Sequence, residues 1–395
     1  MKQQSVIISG AGVGGLSAAW WLSQLGWQVT LIEKAPDLRA DGYMVGISGP
    51  GYQAAEKMGI IDNLQQYNHH IHENLYLNTE GKELLRVRYH DLLGSLDWLT
   101  LARTDLVKEL HRKVTEETDT RLCFASQITS FSQQDQQVEV TLNDGQQLTA
   151  DLLIGADGIH SNTRKQLWGD KLEHLEHLGY RVAAFQMPDS LGLKNDFLSY
   201  AQPGQLVEFY TLRKNRLASL YLWKDDAIER PQSRQQAREW LEKQYSESHP
   251  QTRHCLQQLP DDEPLFFDNL TMVTLPKWSQ GRVLLLGDAA HCLTLLSGQG
   301  AGMAMMSAYI LAEKLKQYPV DEALQHHEQQ LRPAITNLQQ RSRDIAPWFI
   351  PATPRSFRLR NLILKWLPKR IIGWYLLRSV RADILAANAV ETVKG

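Results

Sequence analysis

The 395-residue chain has little of what marks several broad protein classes. Its three cysteines form no Cys-x-x-Cys pair and leave an odd count, which argues against a disulfide scaffold or a zinc site and suits a reducing compartment. No run reaches the roughly 18 apolar residues that a membrane-spanning helix needs. The opening residues MKQQSVIISG lack the long apolar stretch of a signal peptide, so we expect a cytoplasmic protein.

The chain also lacks an excess of positive or negative charge. The 42 basic and 44 acidic residues give a formal net charge of −2, which argues against a nucleic-acid-binding protein. Internal repeats and low-complexity segments are absent from the sequence as well. Hydrophobic residues make up 43% of the chain, enough to bury a large core in two or three domains. The composition is that of a soluble enzyme.

Histidines cluster at His69/His70/His72, His174/His177 and His326/His327. None of these clusters has a recognisable set of partner ligands, and adjacent histidines on a helix point away from each other, so no metal site is predicted. No Ser-His-Asp or paired-carboxylate arrangement is recognisable either. His291 is the histidine that merits a test, and we expect it to form structural hydrogen bonds rather than to transfer protons.

A glycine-rich loop near the amino terminus carries the first functional signal. The sequence GAGVGG at Gly10–Gly15 follows the apolar run Val6–Ile8 and precedes an amphipathic stretch. In such a strand-turn-helix unit the first glycine permits the tight turn, Gly12 lets a pyrophosphate approach the backbone, and Gly15 lets the helix pack close to the strand. The amino end of the helix then attracts the phosphates.

An acidic residue completes this unit. Glu33 ends the next apolar run, 18 positions after Gly15, where a carboxylate can accept hydrogen bonds from a ribose. Because no arginine-rich turn replaces it, a ribose with a free 2′-hydroxyl is favoured, which ranks FAD or NAD ahead of NADP at this site. A glycine-rich turn without a ligand is the alternative, but strand, helix and acid agree on a dinucleotide.

A second glycine-rich segment lies almost three hundred residues later. The run Val283–Leu286 reads as a buried strand, and Gly287-Asp288 stands at its carboxyl end, where ligands bind in open α/β sheets. Gly298-Gln299-Gly300 then leads into an apolar helix whose amino end would stabilise the negative charge of a reduced isoalloxazine ring. A crossover with glycine caps and no ligand is the alternative. Together the two segments favour FAD.

These motifs resemble a known family. GAGVGG, the segment Arg103–Leu106, the run DLLIGADGIHSNTRK at Asp151–Lys165 and GDAAH with GQG are similar to the FAD-dependent aromatic hydroxylases of the p-hydroxybenzoate hydroxylase type. Asp41–Ile60 and Gly300–Leu315 most closely resemble the branch that contains the tetracycline-inactivating monooxygenases. The likeness covers about residues 5 to 320. It is specific for fold and cofactor and much less so for substrate.

The resemblance implies roles for individual residues. Arg103 would contact the phosphate or ribose region of FAD, Asp288 the ribityl chain and pyrophosphate, and Asp157 the pyrophosphate and the route of the nicotinamide coenzyme. The alternatives are that Arg103 caps the preceding element or pairs with Asp105, and that Asp157 is an ordinary turn residue before a kink at Gly158. The predicted cofactor-binding residues are Gly10, Gly12, Val13, Gly14, Gly15, Glu33, Lys34, Arg103, Asp157, Asp288, Gly300 and Ala301.

The resemblance also implies that a flavin C4a-hydroperoxide does the chemistry, so no catalytic side chain is predicted. The chain departs from the family where a proline usually lies beside the flavin, because it has Leu295 there. We therefore expect imperfect coupling of reduction to hydroxylation. Two further departures are Gly302 and Ser307, where many members have Asn and Asp, and the tetracycline-inactivating branch tolerates small residues at both positions.

The predicted fold is α/β, with a Rossmann-like FAD-binding domain interleaved with a β-sheet substrate domain, plus C-terminal helices. The cofactor domain would use residues 1–75, 95–170 and 265–330, the substrate domain 76–94 and 171–264, and the C-terminal helical segment 331–395. Tyr180–Met187, Gln205–Leu212 and Arg216–Trp223 are expected to be strands above the pocket. Gln232–Ser248 is expected to be an amphipathic helix.

The end of the chain is rich in positive charge. From Ile350 to Ala382 there are eight basic residues and no acidic one, with apolar residues at helical spacing. A patch for a membrane surface or an anionic partner is one interpretation. We favour helices that pack on the acidic body beside the mouth of the active site, and membrane contact is not expected.

The function expected from this evidence is an FAD-dependent monooxygenase. It would use NADPH or NADH and oxygen to hydroxylate an aromatic or polycyclic small molecule, in natural-product tailoring or antibiotic inactivation, as a monomer or weak dimer. One alternative is a flavoprotein oxidoreductase that reduces or desaturates its substrate without inserting oxygen, which Leu295 would favour. The other is a non-catalytic flavin-binding or membrane-associated protein, which the basic tail would favour.

Overall fold

A computed structural model describes residues 3–38, 43–89, 97–193, 196–213 and 215–366. Its strands are β1 (Ser5–Ser9), β2 (Gln28–Ile32), β3 (Met44–Ser48), β4 (Glu73–Leu77), β5 (Glu83–Arg88), β6 (Trp98–Ala102), β7 (Arg121–Cys123), β8 (Ile128–Gln134), β9 (Gln137–Leu142), β10 (Gln147–Ala150), β11 (Leu152–Gly155), β12 (Leu175–Pro188), β13 (Phe197–Gln202), β14 (Gln205–Leu212), β15 (Arg216–Lys224), β16 (Phe266–Val273), β17 (Ser279–Gln280) and β18 (Val283–Leu285). Its helices are α1 (Val13–Gln24), α2 (Pro50–Lys57), α3 (Ile61–Gln65), α4 (Arg103–Glu117), α5 (Asn162–Trp168), α6 (Arg234–Gln244), α7 (Pro250–Gln257), α8 (Asp288–His291), α9 (Gly300–Gln317), α10 (Val320–Phe349) and α11 (Pro354–Trp366). Short 3-10 helices span Leu172–His174 and Leu295–Ser297.

A parallel sheet forms the centre of the first unit. Its strand order is β17-β18-β11-β1-β2-β7, and every pairing except that of β17 with β18 is parallel. Helices α1 and α9 pack against each other over one face of this sheet. On the other face, Ile7 and Leu153 share a core with Val138 and Val140 of the three-stranded sheet β10-β9-β8. The predicted Rossmann-like unit is confirmed.

The second unit is a seven-stranded sheet. Its order is β16-β12-β15-β14-β13-β4-β5, and its pairings are antiparallel except that of β13 with β4. The three predicted strands above the pocket are confirmed as β12, β14 and β15. Helices α6 and α7 cover the face of the sheet that carries Phe209 and Tyr221. Helix α6 is shorter than the predicted Gln232–Ser248, because the Ser233 hydroxyl caps its amino end by accepting a hydrogen bond from the Gln236 amide.

Several elements cross the predicted segment boundaries. Strand β16 belongs to the seven-stranded sheet, where it pairs with β12, although residues 265–330 were predicted for the cofactor unit. Strand β4 begins in that sheet at Glu73, two residues inside the predicted segment 1–75. Helix α10 runs unbroken through residue 330. The interleaving of the two units is as expected, whereas the domain division itself stays a prediction.

The C-terminal helices lie against both units. Helix α10 packs on α9 through buried leucine and isoleucine side chains such as Leu331 and Ile335. Helix α11 contacts β5, and its Arg360 donates hydrogen bonds to the carbonyl oxygens of Trp348 and Phe349. Within the basic segment, α11 therefore contacts the body through Phe357 and Arg360, while Leu359, Leu362 and Trp366 are exposed. The remainder of the basic segment, from residue 367 onward, lies outside the described residues, and the prediction for it stays open.

Candidate functional site

The turn between β1 and α1 leaves an open cradle at the amino end of α1. Gly10 has a φ of 106°, and a Cβ added there would lie 2.5 Å from the Ala156 carbonyl oxygen. A Cβ added at Gly15 would lie 1.9 Å from the Gly10 carbonyl oxygen. At Gly12, by contrast, an added Cβ would meet no atom within 4 Å. Packing therefore requires glycine at positions 10 and 15. Gly12 borders free space in front of the helix, as a phosphate site requires.

Glu33 lies at the end of β2 beside this cradle. One carboxylate oxygen accepts a hydrogen bond of 2.8 Å from the Ala11 amide, and the other accepts one of 2.9 Å from the Ala35 amide. Only 7% of the residue is exposed. Through these two hydrogen bonds Glu33 fixes the glycine-rich turn and the chain that follows β2.

A cavity of about 130 Å³ adjoins Glu33. Lys34, Arg103 and Asp157 lie on its wall, as predicted. The Asp157 carboxylate also accepts hydrogen bonds from the amino end of α5. One oxygen accepts from the hydroxyl of Ser161, the residue that caps the helix, and the other accepts from the amide and hydroxyl of Thr163 in the first turn. Asp157 therefore has a structural task, and its contact with a cofactor stays a prediction.

A much larger cavity of about 910 Å³ lies between the two units. Val13 and Gly14 border it beside the cradle, and an added Cβ at Gly14 would lie 2.8 Å from a Leu286 methyl group. The two cavities share Gly12, Arg103, Ala156 and Gly158 on their walls. An elongated ligand can therefore extend from one cavity into the other, with its middle part at the amino end of α1.

Arg103 and Asp288 both border the larger cavity and interact electrostatically. Arg103 begins α4 directly after β6, and its amide donates to the Tyr43 carbonyl oxygen at 3.1 Å. Asp288 projects into the larger cavity but is surrounded by protein, and this burial raises its pKa, while the Arg103 charge opposes the rise. The pair places a cation and an anion where hydroxyl and phosphate groups of a ligand would lie.

The amino end of α9 opens on the same cavity. Gly300 and Ala301 border it, and the first main-chain N–H groups of the helix lack intrahelical partners. A negatively charged ring edge is stabilised at such a helix end. His291 lies elsewhere: it is buried against Trp278, its ring centre 4.7 Å from that ring, and burial lowers its pKa to about 4.

The segment before α9 carries local strain. Thr294 has a φ of 62°, which is unusual for a β-branched residue, and it is only 9% exposed. Its hydroxyl forms no hydrogen bond among the described residues, and both Thr294 and Leu295 border the larger cavity. Leu295 is the first residue of the 3-10 helix that follows. The sequence singled out Leu295 but gave no sign of the strain at Thr294.

The two other departures from the family pattern have structural partners. Gly302 lies against Gly51 where α9 crosses α2, with room for no side chain between the two backbones. The Ser307 hydroxyl lies 2.9 Å from the His327 ring nitrogen Nε2, inside the core. Burial lowers the pKa of His327 to about 3, so this ring is neutral. Both residues serve the packing of α9.

The wall opposite the cradle comes from the seven-stranded sheet. Its side chains are mostly aromatic, and sequence reasoning did not identify them; they include Tyr76, Tyr89, Phe197 and Tyr210, with Glu208 among them. Tyr43 adds a further ring from the segment before β3. Burial raises the pKa of each of these tyrosines, so their hydroxyls stay protonated and can donate hydrogen bonds. The wall is thus apolar with a few polar groups, as in sites for ring-shaped ligands.

Comparison with known proteins shows which family the chain belongs to. Residues 3–340 match the FAD binding domain family. The chain belongs to this FAD-binding family. A flavin-dependent monooxygenase from an unknown prokaryotic organism is 30% identical over 349 residues, which cover 86% of this chain and 88% of the relative. A flavin-dependent monooxygenase of Legionella longbeachae is 30% identical over 328 residues, 80% of this chain and 81% of the relative. The predicted kinship with FAD-dependent monooxygenases is confirmed.

Solved structures show the same fold. Tetracycline destructase Tet(51) superposes with a TM-score of 0.81 at 24% identity and covers 98% of both chains. Klebsiella pneumoniae HpxO, solved with FAD and uric acid, gives a TM-score of 0.81 at 20% identity over 97% of both chains. The fold of the FAD-binding family is therefore shared along nearly the whole chain.

The described residues show neither a metal cluster nor a membrane-spanning helix. Within residues 3–366, apart from the short gaps, no three His, Cys, Asp or Glu side chains gather where they could hold a metal ion. Over the same ranges no helix is long and apolar enough to cross a membrane.

Proposed function

We propose that the protein is a single-component monooxygenase that uses FAD, NADPH or NADH, and oxygen to hydroxylate an aromatic or polycyclic small molecule. The observation that carries this proposal is the aromatic-lined cavity of about 910 Å³ that joins the cradle at Gly12. Its volume suits a ligand of several fused rings beside a flavin ring. Membership of the FAD-binding family supports the cofactor.

The described residues fit FAD. The free space over Gly12 suits a pyrophosphate, the smaller cavity beside Glu33 suits an adenosine, and Asp288 suits a ribityl chain. We propose that FAD is held by Gly10, Gly12, Val13, Gly14, Gly15, Glu33, Lys34, Arg103, Asp157, Asp288, Gly300 and Ala301. Reduced by NADPH or NADH, bound FAD activates oxygen, so that one oxygen atom enters the substrate and the other leaves as water.

The protein's own residues would position the substrate and keep water out. The tyrosines of the sheet wall orient ring hydroxyl groups, and Phe349 and Ile345 of α10 border the cavity on the side of the C-terminal helices. Relatives named flavin-dependent monooxygenase support this class of reaction. Natural-product tailoring and antibiotic inactivation are both consistent with a cavity of this size.

A test of the reaction measures NADPH and NADH consumption by the FAD-loaded protein with a panel of phenolic and polycyclic compounds. We expect slow oxidation without a compound and faster oxidation with a fitting one. Under ¹⁸O₂ the product should gain one labelled oxygen atom. Product that forms equally well without oxygen would replace this proposal with a reductase or desaturase.

A further inference from the structure

One corner of the larger cavity combines aromatic rings with a carboxyl group. Tyr76 on β4, Ser199 on β13 and Glu208 on β14 are register partners and form one row across the sheet. Phe197 and Tyr210 belong to the next row of the same face, and Tyr89 follows β5. We call this set, Tyr76, Tyr89, Phe197, Glu208 and Tyr210, the aromatic corner. All five residues border the cavity.

Only one oxygen of the Glu208 carboxyl has hydrogen-bond partners among the described residues. Its Oε1 atom accepts long hydrogen bonds from the Asn74 amide at 3.4 Å and the Tyr76 hydroxyl at 3.5 Å. The Ser199 hydroxyl lies 3.4 Å from the same oxygen but donates to the Asn74 side-chain oxygen at 2.8 Å. Among the described residues no donor contacts Oε2 and no cation forms an ion pair with Glu208. The second oxygen is thus available to a ligand in the cavity.

No ion pair among the described residues neutralises this carboxyl, although Arg103 also borders the cavity. Burial raises the pKa of Glu208 to about 7, and the polar side chains beside it only limit that rise. The tyrosines beside it are neutral because burial raises their own pKa values. Arg360, whose charge acts on Tyr76, donates to the last carbonyl oxygens of α10. His69, His70 and His72 line the same cavity.

Aromatic rings surround the unpaired carboxyl. The ring centres of Phe197 and Tyr210 lie 4.9 Å apart, and those of Tyr89 and Phe197 lie 6.1 Å apart. Rings grouped in this way attract cations through their negative faces and are the usual recognition element for organic ammonium groups. A buried carboxylate beside them adds charge in a setting where water competes little.

We propose that the aromatic corner binds an organic ammonium group carried by the substrate, with Glu208 as the specificity-determining residue. This inference rests on the proposed function, because it names a chemical feature of the substrate of the same cavity. A carboxylate or phosphate at this end of a substrate would be repelled by Glu208. A protonated tertiary amine or a quaternary ammonium group satisfies both the carboxylate and the rings.

The test uses FAD-loaded protein without NADPH and compares two probes of one shape. The first is (2-naphthylmethyl)trimethylammonium, whose charge does not change with pH, and the second is 2-neopentylnaphthalene, its neutral isostere. Binding is measured by calorimetry and by the change in the flavin absorbance spectrum. We expect the cation to bind at least tenfold more tightly than the isostere at pH 8. Its affinity should fall as the pH drops below about 7, where Glu208 gains a proton.

Two variants separate the carboxyl from the rings. Glu208→Gln should lose at least tenfold affinity for the cation and the pH dependence with it, while affinity for the isostere stays within twofold. Phe197→Leu should lower affinity for the cation several-fold more than affinity for the isostere. Glu247→Gln, an exposed carboxyl between α6 and α7, is the matched control and should change neither. Thermal melting and FAD content verify that each variant is folded.

The outcomes are distinct from those of the reaction test. Equal affinity for the two probes, or a cation preference that survives Glu208→Gln, would overturn the assignment of the aromatic corner even if phenols stimulate oxygen-dependent NADPH oxidation. Conversely, a cation preference that depends on Glu208 sustains the assignment even if no compound is hydroxylated. If Glu208→Gln does not fold, the Phe197→Leu result decides.

Discussion

Gly302 of α9 and Gly51 of α2 meet backbone to backbone. A Cβ on Gly51 would lie 2.4 Å from the Gly302 Cα, and one on Gly302 would lie 3.0 Å from the Gly51 Cα. This contact fixes the position of α9 over the parallel sheet, and the first turn of α9 borders the cavity. Glycine is required at position 302 because the backbone of the neighbouring helix occupies the space that a side chain would need.

Gly51→Ala should therefore destabilise the protein. Overpacking of this kind costs about 1–3 kcal/mol, because two helices must separate. We expect a lower melting temperature and weaker FAD retention, measured on the same preparation. Glu56→Ala, at an exposed position of the same helix α2, is the control. A Gly51→Ala variant as stable as the wild type would mean that the two helices are not locked together.

The glycines of the first loop should separate folding from cofactor binding. Gly12→Val places its Cβ in the open cradle, where no protein atom lies within 4 Å, so we expect folded, colourless protein with a melting temperature close to that of the FAD-free wild type. Gly15→Ala forces a Cβ to within 1.9 Å of the Gly10 carbonyl oxygen and should lower stability and FAD content together. Full FAD occupancy in Gly12→Val would refute the placement of the pyrophosphate.

Asp288→Ala should weaken FAD binding. A hydrogen bond to a charged group contributes about 1.5–3 kcal/mol, so the dissociation constant should rise by about tenfold or more. Fluorescence titration of FAD-free protein measures it. Asp135→Ala, in the exposed turn between β8 and β9, serves as control. An unchanged constant would assign Asp288 a purely structural role.

Glu208→Gln should change how stability depends on pH. The folded-state pKa of Glu208, about 7, lies above its unfolded value near 4.3, so the folded protein binds this proton more tightly. The resulting stabilisation is complete below the unfolded pKa and is lost as the pH rises through about 7. The melting temperature of the variant, relative to wild type, should therefore increase between pH 4.5 and pH 8. A constant difference would mean that Glu208 titrates normally.

Leu295→Pro should be tolerated and should improve coupling. Leu295 opens a 3-10 helix, a position where the fixed φ of proline is suitable. A rigid residue there replaces a flexible side chain on the cavity wall. We expect a higher ratio of hydroxylated product to hydrogen peroxide per NADPH consumed, with unchanged melting temperature. A ratio no higher than that of the wild type would show that Leu295 does not limit coupling.

The sequence predicts the cofactor half of the protein well, because its signals are local. Each lies within one strand-turn-helix unit, as with the loop at Gly10–Gly15, so spacing alone specifies the geometry. Strands β12, β14 and β15 were also predictable from their β-branched and aromatic residues. Helix α10 was not, since the break expected at residue 330 has no counterpart in its packing on α9.

The aromatic wall of the larger cavity could not be predicted from the sequence. Tyr76 and Glu208 are 132 positions apart and become neighbours only through the parallel pairing of β4 with β13. No single-sequence pattern specifies that register. The second task of Asp157 and the strain at Thr294 likewise depend on tertiary contacts that local patterns do not contain.

The division of labour between the two sheets has a consequence for how such enzymes diversify. The cradle lies at the ends of parallel strands, whereas the aromatic corner projects from β4, β13 and β14 of the other sheet. Exchanging Glu208 or Phe197 would thus alter which molecules are accepted while leaving the nucleotide loops untouched. Gene duplicates of this protein can acquire new selectivity through a few substitutions on one rigid surface, and protein engineers can follow the same route.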